Sequence, residues 1–196
     1  MRPRATGIST SWVNALRRLI DALPTHASAA ELDAFRDEAA ELAWRVDHPT
    51  LQAVTPTPLR YRRVLLSDPS CHRVSALLIA WPPGHRTPLH DHDGLWGAEI
   101  VLEGALAVDE YHARTNAAGT APIFERTQLL GIGDATVFAD RDYVHSCRNL
   151  SDALPALSLH VYGGPLNRFS AFHPLDTGTY HVASVRTTID DIWTGD

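Results

Sequence analysis

A chain of 196 residues with 44% hydrophobic and 20% charged residues can bury a sizeable core and has the balance of an ordinary globular protein. A formal net charge of -6 with no Lys/Arg-rich block speaks against nucleic acid or an anionic membrane as partner. No apolar run approaches the roughly 20 residues that span a bilayer. The start, Met1 to Thr10, has basic residues but no apolar stretch behind them, so it does not read as a secretory signal and a cytoplasmic location is expected. Cys71 and Cys147 make neither a metal-type nor a redox-type spacing. Two reduced thiols are expected, with a disulfide between them left open.

Residues 1–8 read as a frayed tail. Ser9-Thr-Ser11 offers N-caps for a helix over Trp12–Leu23, where Val13, Leu16, Leu19, Ile20 and Leu23 recur at helical spacing. Pro24-Thr-His ends it. Ser28 followed by Glu31 has the form of a capping box, so a second helix is predicted to run to about Val46 and to stop at Asp47-His-Pro49. From Thr55-Pro-Thr-Pro58 the texture changes to short β-type runs: Tyr61–Leu66, His72–Trp81, Trp96–Leu102, Leu106–His112, Phe124–Leu130, Ala135–Phe138, Val144–Asn149 and Leu157–Tyr162. Turn residues separate them at Asp68-Pro69, Pro82-Pro-Gly84, Glu103-Gly104, Asn116–Gly119, Gly131-Ile-Gly133 and Asp152–Pro155. The chain beyond Pro165 is less patterned, with loops at Gly178 and Asp190-Asp191 around a short strand from Tyr180 to Val185. The expected fold class is therefore all-β, either a jelly-roll barrel or a sandwich, behind packing helices.

The chemistry concentrates in Gly84-His-Arg-Thr-Pro-Leu-His90-Asp-His92. Alternate residues of a strand share a face, so both imidazoles can point at one spot. Imidazole is the commonest transition-metal ligand. Taken alone, an H-x-H among 11 histidines is as readily a coincidence. Its setting adds weight: Gly104 follows, and Gly133, His145 and Asn149 lie downstream. The two stretches resemble the two motifs of the cupin superfamily, in which His90, His92 and His145 would converge inside a β-barrel on one metal ion. Cupins usually carry a glutamate ligand where this chain has Gly97, so the resemblance implies a three-histidine site with open positions.

Ser158-Leu-His160-Val-Tyr162, with Tyr61-Arg62-Arg63 and Ala80–His85, is similar to the cysteine dioxygenase and 3-mercaptopropionate dioxygenase family, in its bacterial branch, over roughly residues 55–175. That resemblance implies a cupin jelly-roll barrel over residues 55–196 behind an N-terminal helical extension over 1–54. It implies Fe(II) as cofactor and a catalytic row of Ser158, His160 and Tyr162, although three alternating polar residues on a strand are more often a solvated face. Arg63 would hold a substrate carboxylate, with Arg62 as the alternative. Arg168 lies near a second arginine of some members, and an exposed loop arginine is an equal reading. Mammalian members carry at the Gly97 position a cysteine crosslinked to the tyrosine, so Tyr162 should be unmodified here.

Glu99 shares the inward face of Gly97 if the strand is regular. A buried carboxylate needs a partner: Arg63 or Arg168, a substrate ammonium, or the metal as a displaced ligand, with structural pairing weighted highest. Asp91 and Asp93 should point away from the ion, His85 could support the ligands, and His112 and His173 read as surface residues. The expected reaction is oxidation of a small thiol to its sulfinate with dioxygen. The rivals are another metal-dependent cupin enzyme, such as a non-thiol dioxygenase or an isomerase, and a non-catalytic small-molecule sensor. Expected partners are the thiol and dioxygen, with no nucleic acid or membrane; a monomer or a homodimer is open, and histidine sites also accept other transition metals.

Overall fold

A computed structural model of the chain describes residues 7–24, 27–55, 59–66, 74–116, 119–176 and 179–193. The expected features at residues 1–6, Thr25-His26, Pro56–Pro58, Asp68-Pro69, Cys71, His72, the tip of the Asn116–Gly119 turn and Gly178 lie outside them. Two helices come first, α1 (Thr10–Ala22) and α2 (Ala29–Ala40), followed by a 3-10 turn over Glu41–Trp44 and a single-turn α3 (Leu51–Val54). Both expected caps form. The Ser9 hydroxyl accepts from the Trp12 amide at 3.3 Å, and Ser28 and Glu31 make a reciprocal capping box. Among the described residues, no helix is long and apolar enough to cross a membrane.

The strands are β1 (Arg62–Leu65), β2 (Ser75–Trp81), β3 (Leu89–His90), β4 (Gly97–Glu103), β5 (Leu106–Asn116), β6 (Gly119–Leu130), β7 (Ala135–Phe138), β8 (Tyr143–Asn149), β9 (Ala156–Tyr162), β10 (Arg168–Pro174), β11 (Tyr180–Arg186) and β12 (Asp191–Ile192). They form two six-stranded sheets, β12-β1-β2-β9-β4-β7 and β11-β10-β3-β8-β5-β6. This is the cupin jelly roll, all-β with an N-terminal helical segment.

The uninterrupted apolar texture of β2 has a physical cause, since both faces of its sheet are covered. Ala76, Leu78 and Ala80 join α1 and α2 in one hydrophobic cluster, with Ala98, Ile100 and Leu102 of β4 and Leu157, Leu159 and Val161 of β9. The alternate residues Leu77, Ile79 and Trp81 face the barrel interior with Val101, Leu106, Val108, Phe138 and Cys147. The same alternation places Ser158, His160 and Tyr162 on the inner face of β9, so its polar row is buried.

Trp12 anchors the helical layer. It is fully buried, and its indole N–H donates to the Leu42 carbonyl at 2.9 Å. Trp12→Ala is expected to destabilise the protein by about 3–5 kcal/mol, read as a fall in Tm on the order of 10 °C.

Three differences from the sequence expectations concern extent. β5 and β6 continue beyond His112 and begin before Phe124 as one long hairpin. β10, unanticipated, pairs with β11 over its whole length and with β3 at Ala171 and Phe172. The second helix stops at Ala40 and tightens into the 3-10 turn.

Candidate metal centre and active site

Two strands set the centre. His90 of β3 and His145 of β8 are direct cross-strand partners, and His92 follows two residues on, where the chain leaves β3. Their ring centroids lie 4.6 Å (His90–His145), 4.7 Å (His92–His145) and 5.2 Å (His90–His92) apart. One nitrogen from each ring falls within 4.8 Å of the others.

Hydrogen bonds decide which nitrogens face inward. His90 Nδ1 sits 2.9 Å from the Pro88 carbonyl, which can only accept, so Nδ1 carries the proton and Nε2 offers a lone pair. Tyr143 donates its hydroxyl proton to Glu110 at 3.2 Å and presents its oxygen to His145 Nδ1 at 3.4 Å. That protonates His145 at Nδ1 and frees Nε2. His92 Nε2 is buried without a hydrogen-bond partner. Burial depresses all three imidazoles, His145 to about 3 and His92 well below its ordinary value, so all are neutral near pH 7. Three neutral imidazoles with one nitrogen each within 4.8 Å of the others, and with His92 Nε2 orphaned in the interior, suit a transition-metal ion.

A cavity of about 250 Å³ opens beside this group, lined by His90 and His145 together with Glu99, Cys147, His160 and Tyr162. The row on β9 is hydrogen bonded end to end. Trp81 Nε1–H donates to Ser158 Oγ at 2.8 Å, Ser158 Oγ meets His160 Nε2 at 2.8 Å, and His160 Nδ1 lies 3.2 Å from the Tyr162 hydroxyl. Burial, reinforced by the Glu99 charge, pushes the Tyr162 phenol up, so it keeps its proton.

Arg63 lines the same cavity. Its guanidinium packs 5.7 Å from the Tyr61 ring centroid and donates to Thr188 Oγ1 at 2.6 Å, while its Nε is buried without a hydrogen bond. Arg62 points the opposite way, donating to the Val54 carbonyl at 2.7 Å and pairing with Asp191 at 2.8 Å. Arg168 does not reach the cavity. Its side chain is 65% exposed and ion-paired with Asp93 at 3.0 Å, because β10 lies outside β3 and turns this residue to solvent. Asp91 accepts from the amides of Asp93 and Ser170, as a loop carboxylate would.

Glu99 faces inward and is 2% exposed, yet it meets neither Arg63 nor Arg168. Oε1 lies 3.2 Å from His160 Nδ1 and 3.6 Å from His145 Nε2, and Oε2 accepts from the Cys147 thiol at 3.4 Å. Burial alone would raise this carboxyl, but His145 and His160 outweigh it and hold it down to about 2. Cys147, a free buried thiol, is pushed well up by burial and by the Glu99 charge, and stays protonated.

Gly97 explains a further contact. A Cβ there would sit 2.2 Å from Phe138 Cζ, so the Phe138 ring fills the space of the missing side chain. That ring stacks on His92 at 4.5 Å and on Tyr143 at 4.4 Å. Sequence reasoning missed Trp81, Cys147 and Phe138. Only Trp81 carried a local signal, since it shares a face with Leu77 and Ile79. His85 stacks on Tyr61 at 4.4 Å in the cavity wall.

The family profile of cysteine dioxygenase type I matches residues 53–174, more than half of the chain. The chain belongs to this family. Cysteine dioxygenase type 1 of Homo sapiens is 26% identical over 129 residues, covering 66% of this chain and 62% of the relative. The Danio rerio protein is 27% identical over 135 residues at the same coverage. The chain thus spans a little under two thirds of these relatives. Among solved structures, the cupin domain of Schizosaccharomyces pombe Cnp3 overlays with a TM-score of 0.41 at 16% identity, covering 60% of this chain and 69% of that one. In this chain, position 97 is closed by Phe138 and a buried carboxylate stands two residues further along β4.

Proposed function

We propose that the protein is a non-haem Fe(II) thiol dioxygenase that converts a small thiol to its sulfinate, with His90, His92 and His145 as metal ligands. The observation that carries this reading is the convergence of three imidazole nitrogens beside a buried Ser158–His160–Tyr162 chain at the wall of one cavity. Family membership supports it. When bound, Fe(II) would supply thiolate formation at neutral pH and open positions for thiol and dioxygen.

The remaining work falls to the protein. Arg63, with no ion pair among the described residues, presents its guanidinium to the carboxylate of a mercapto acid. Leu77, Ile79, Trp81 and Phe169 keep water from the reacting end of the cavity. Ser158 fixes the His160 ring from one side, and His160 holds the Tyr162 hydroxyl, which keeps its proton and offers it to oxygen beside the ligands. Orientation of bound reactants accounts for most of such a catalyst's effect.

The test is oxygen uptake by anaerobically Fe(II)-loaded protein with a panel of small thiols against buffer. Uptake matched by sulfinate supports the reading; a folded, iron-loaded protein that consumes no oxygen with any thiol overturns it. Tyr162→Phe removes one hydroxyl from the His160 contact and is expected to lower kcat by about 10²-fold or more. Metal content and thiol binding, read by dialysis and by the spectrum of the loaded protein, should stay unchanged. Dependence of uptake on thiol separates this reading from a non-thiol cupin oxygenase.

A further inference from the structure

We infer that Glu99 is a fourth ligand of the metal ion, binding through Oε1 and giving this chain a site of three imidazoles and one carboxylate. The inference rests on the three-histidine site proposed above. It starts from an unpartnered buried oxygen. Glu99 is 2% exposed, and its Oε1, 3.6 Å from His145 Nε2, makes no hydrogen bond. A buried carboxylate oxygen left without a hydrogen bond is stabilised by a cation beside it.

The separation suits that cation. Two ligand atoms each about 2.1 Å from one ion stand about 3.6 Å apart at an angle of about 120°. The carboxylate is also prepared for binding through one oxygen. Cys147 S–H donates to Oε2, while Oε1 has no aligned hydrogen bond, with His160 Nδ1 at 3.2 Å and His145 Nε2 at 3.6 Å. Outer groups that occupy one oxygen and steady the other are how proteins orient a carboxylate ligand. Glu99, His145 and Cys147 form a second donor set that shares His145 with the triad, so the carboxylate would reach the ion from the His145 side. Position 97 offers no competing donor, because Phe138 occupies its space.

The alternative role for Glu99 is to position His160 without touching the ion. Substitution of an outer group already weakens metal affinity 10- to 100-fold, so affinity alone does not separate the two roles. The deciding readout is the Co(II)-substituted protein, whose d–d band positions and intensities report coordination number and donor type. Glu99→Gln keeps size and polarity but is a poor ligand. It is expected to weaken Co(II) and Mn(II) binding by about 100-fold or more and to shift the Co(II) bands, with the CD spectrum of the apoprotein unchanged. Glu99→Asp, which retains the charge but withdraws it by one methylene, is expected to shift the bands too and serves if the glutamine variant folds poorly. Unchanged Co(II) bands in both variants, with binding abolished in His145→Ala, would overturn the inference and leave the three-histidine reading standing. Tight binding that survives in His145→Ala would remove that reading, and this inference with it.

Discussion

His145→Ala is expected to abolish thiol-dependent oxygen uptake, with a fall of at least about a thousandfold, the several kcal/mol that a bound metal supplies. His145 is the residue to remove because it stands at the crossing of every set of contacts in the site. It pairs with His90 across β3–β8, lies within 4.7 Å of the His92 ring centroid and faces Glu99 at 3.6 Å. Losing it leaves two histidines on one short segment, a bidentate pair that holds Fe(II) weakly. The measurement joins metal analysis after dialysis with an oxygen electrode. His145→Gln, closer in volume, controls for the cavity that alanine opens in the core. Retained iron with retained turnover would show that the centre lies elsewhere.

Gly97→Ala is expected to be among the most damaging single-methyl additions in the barrel. The new Cβ would meet Phe138 at 2.2 Å from Cζ and 2.7 Å from Cε2, distances that side chains do not tolerate. Phe138 has little room to yield, since its ring is stacked between His92 and Tyr143 and is 5% exposed. Overpacking of this kind costs about 3 kcal/mol, the upper end of the usual range, which for a chain of this size lowers Tm by about 6–12 °C. The damage should also reach the metal, because the ring that must move is the one that orients His92. Thermal unfolding reads the first effect and Fe(II) content the second. Shrinking the obstacle in Gly97→Ala/Phe138→Leu should restore most of the stability, a non-additive pair typical of residues in contact. If the single variant melts with the wild type, Phe138 does not close position 97.

The sequence carried the candidate metal ligands because their information is local: an H-x-H after Gly84 places two imidazoles on one face, and alternation aligns Ser158, His160 and Tyr162. The helix starts were legible for the same reason, since Ser9 and Ser28 cap from within three residues. What failed to show was set by partners distant in sequence. The amide of Leu51 donates to Glu103 Oε1 at 3.1 Å, so the signal for α3 sits on β4. β10 mixes Arg168, Ser170, His173 and Pro174 with Phe169, Ala171 and Phe172, and its pairing with β11 and β3 holds it in place. Arg168 had the right residue type and the wrong side of a strand. Glu99 was correctly placed inward, but its partners, His160 and Cys147, come from two other strands and had no mark in β4 itself.

The two halves of the centre stand on very different foundations. Ser158, His160 and Tyr162 ride on β9, which pairs along its length with β2, pairs also with β4, and is backed by the helical layer. His90 rides on β3, a strand of two residues. Native-state hydrogen exchange should register the contrast: amides of β9 exchange only through global unfolding, while those around Leu89–His92 exchange through small local openings. An ion shared by His90, His92 and His145 would fasten this short interior strand to β8, and by mass action its occupancy slows exchange at every amide whose opening releases it. The two-residue strand of the site would then be ordered by the ion it helps to hold.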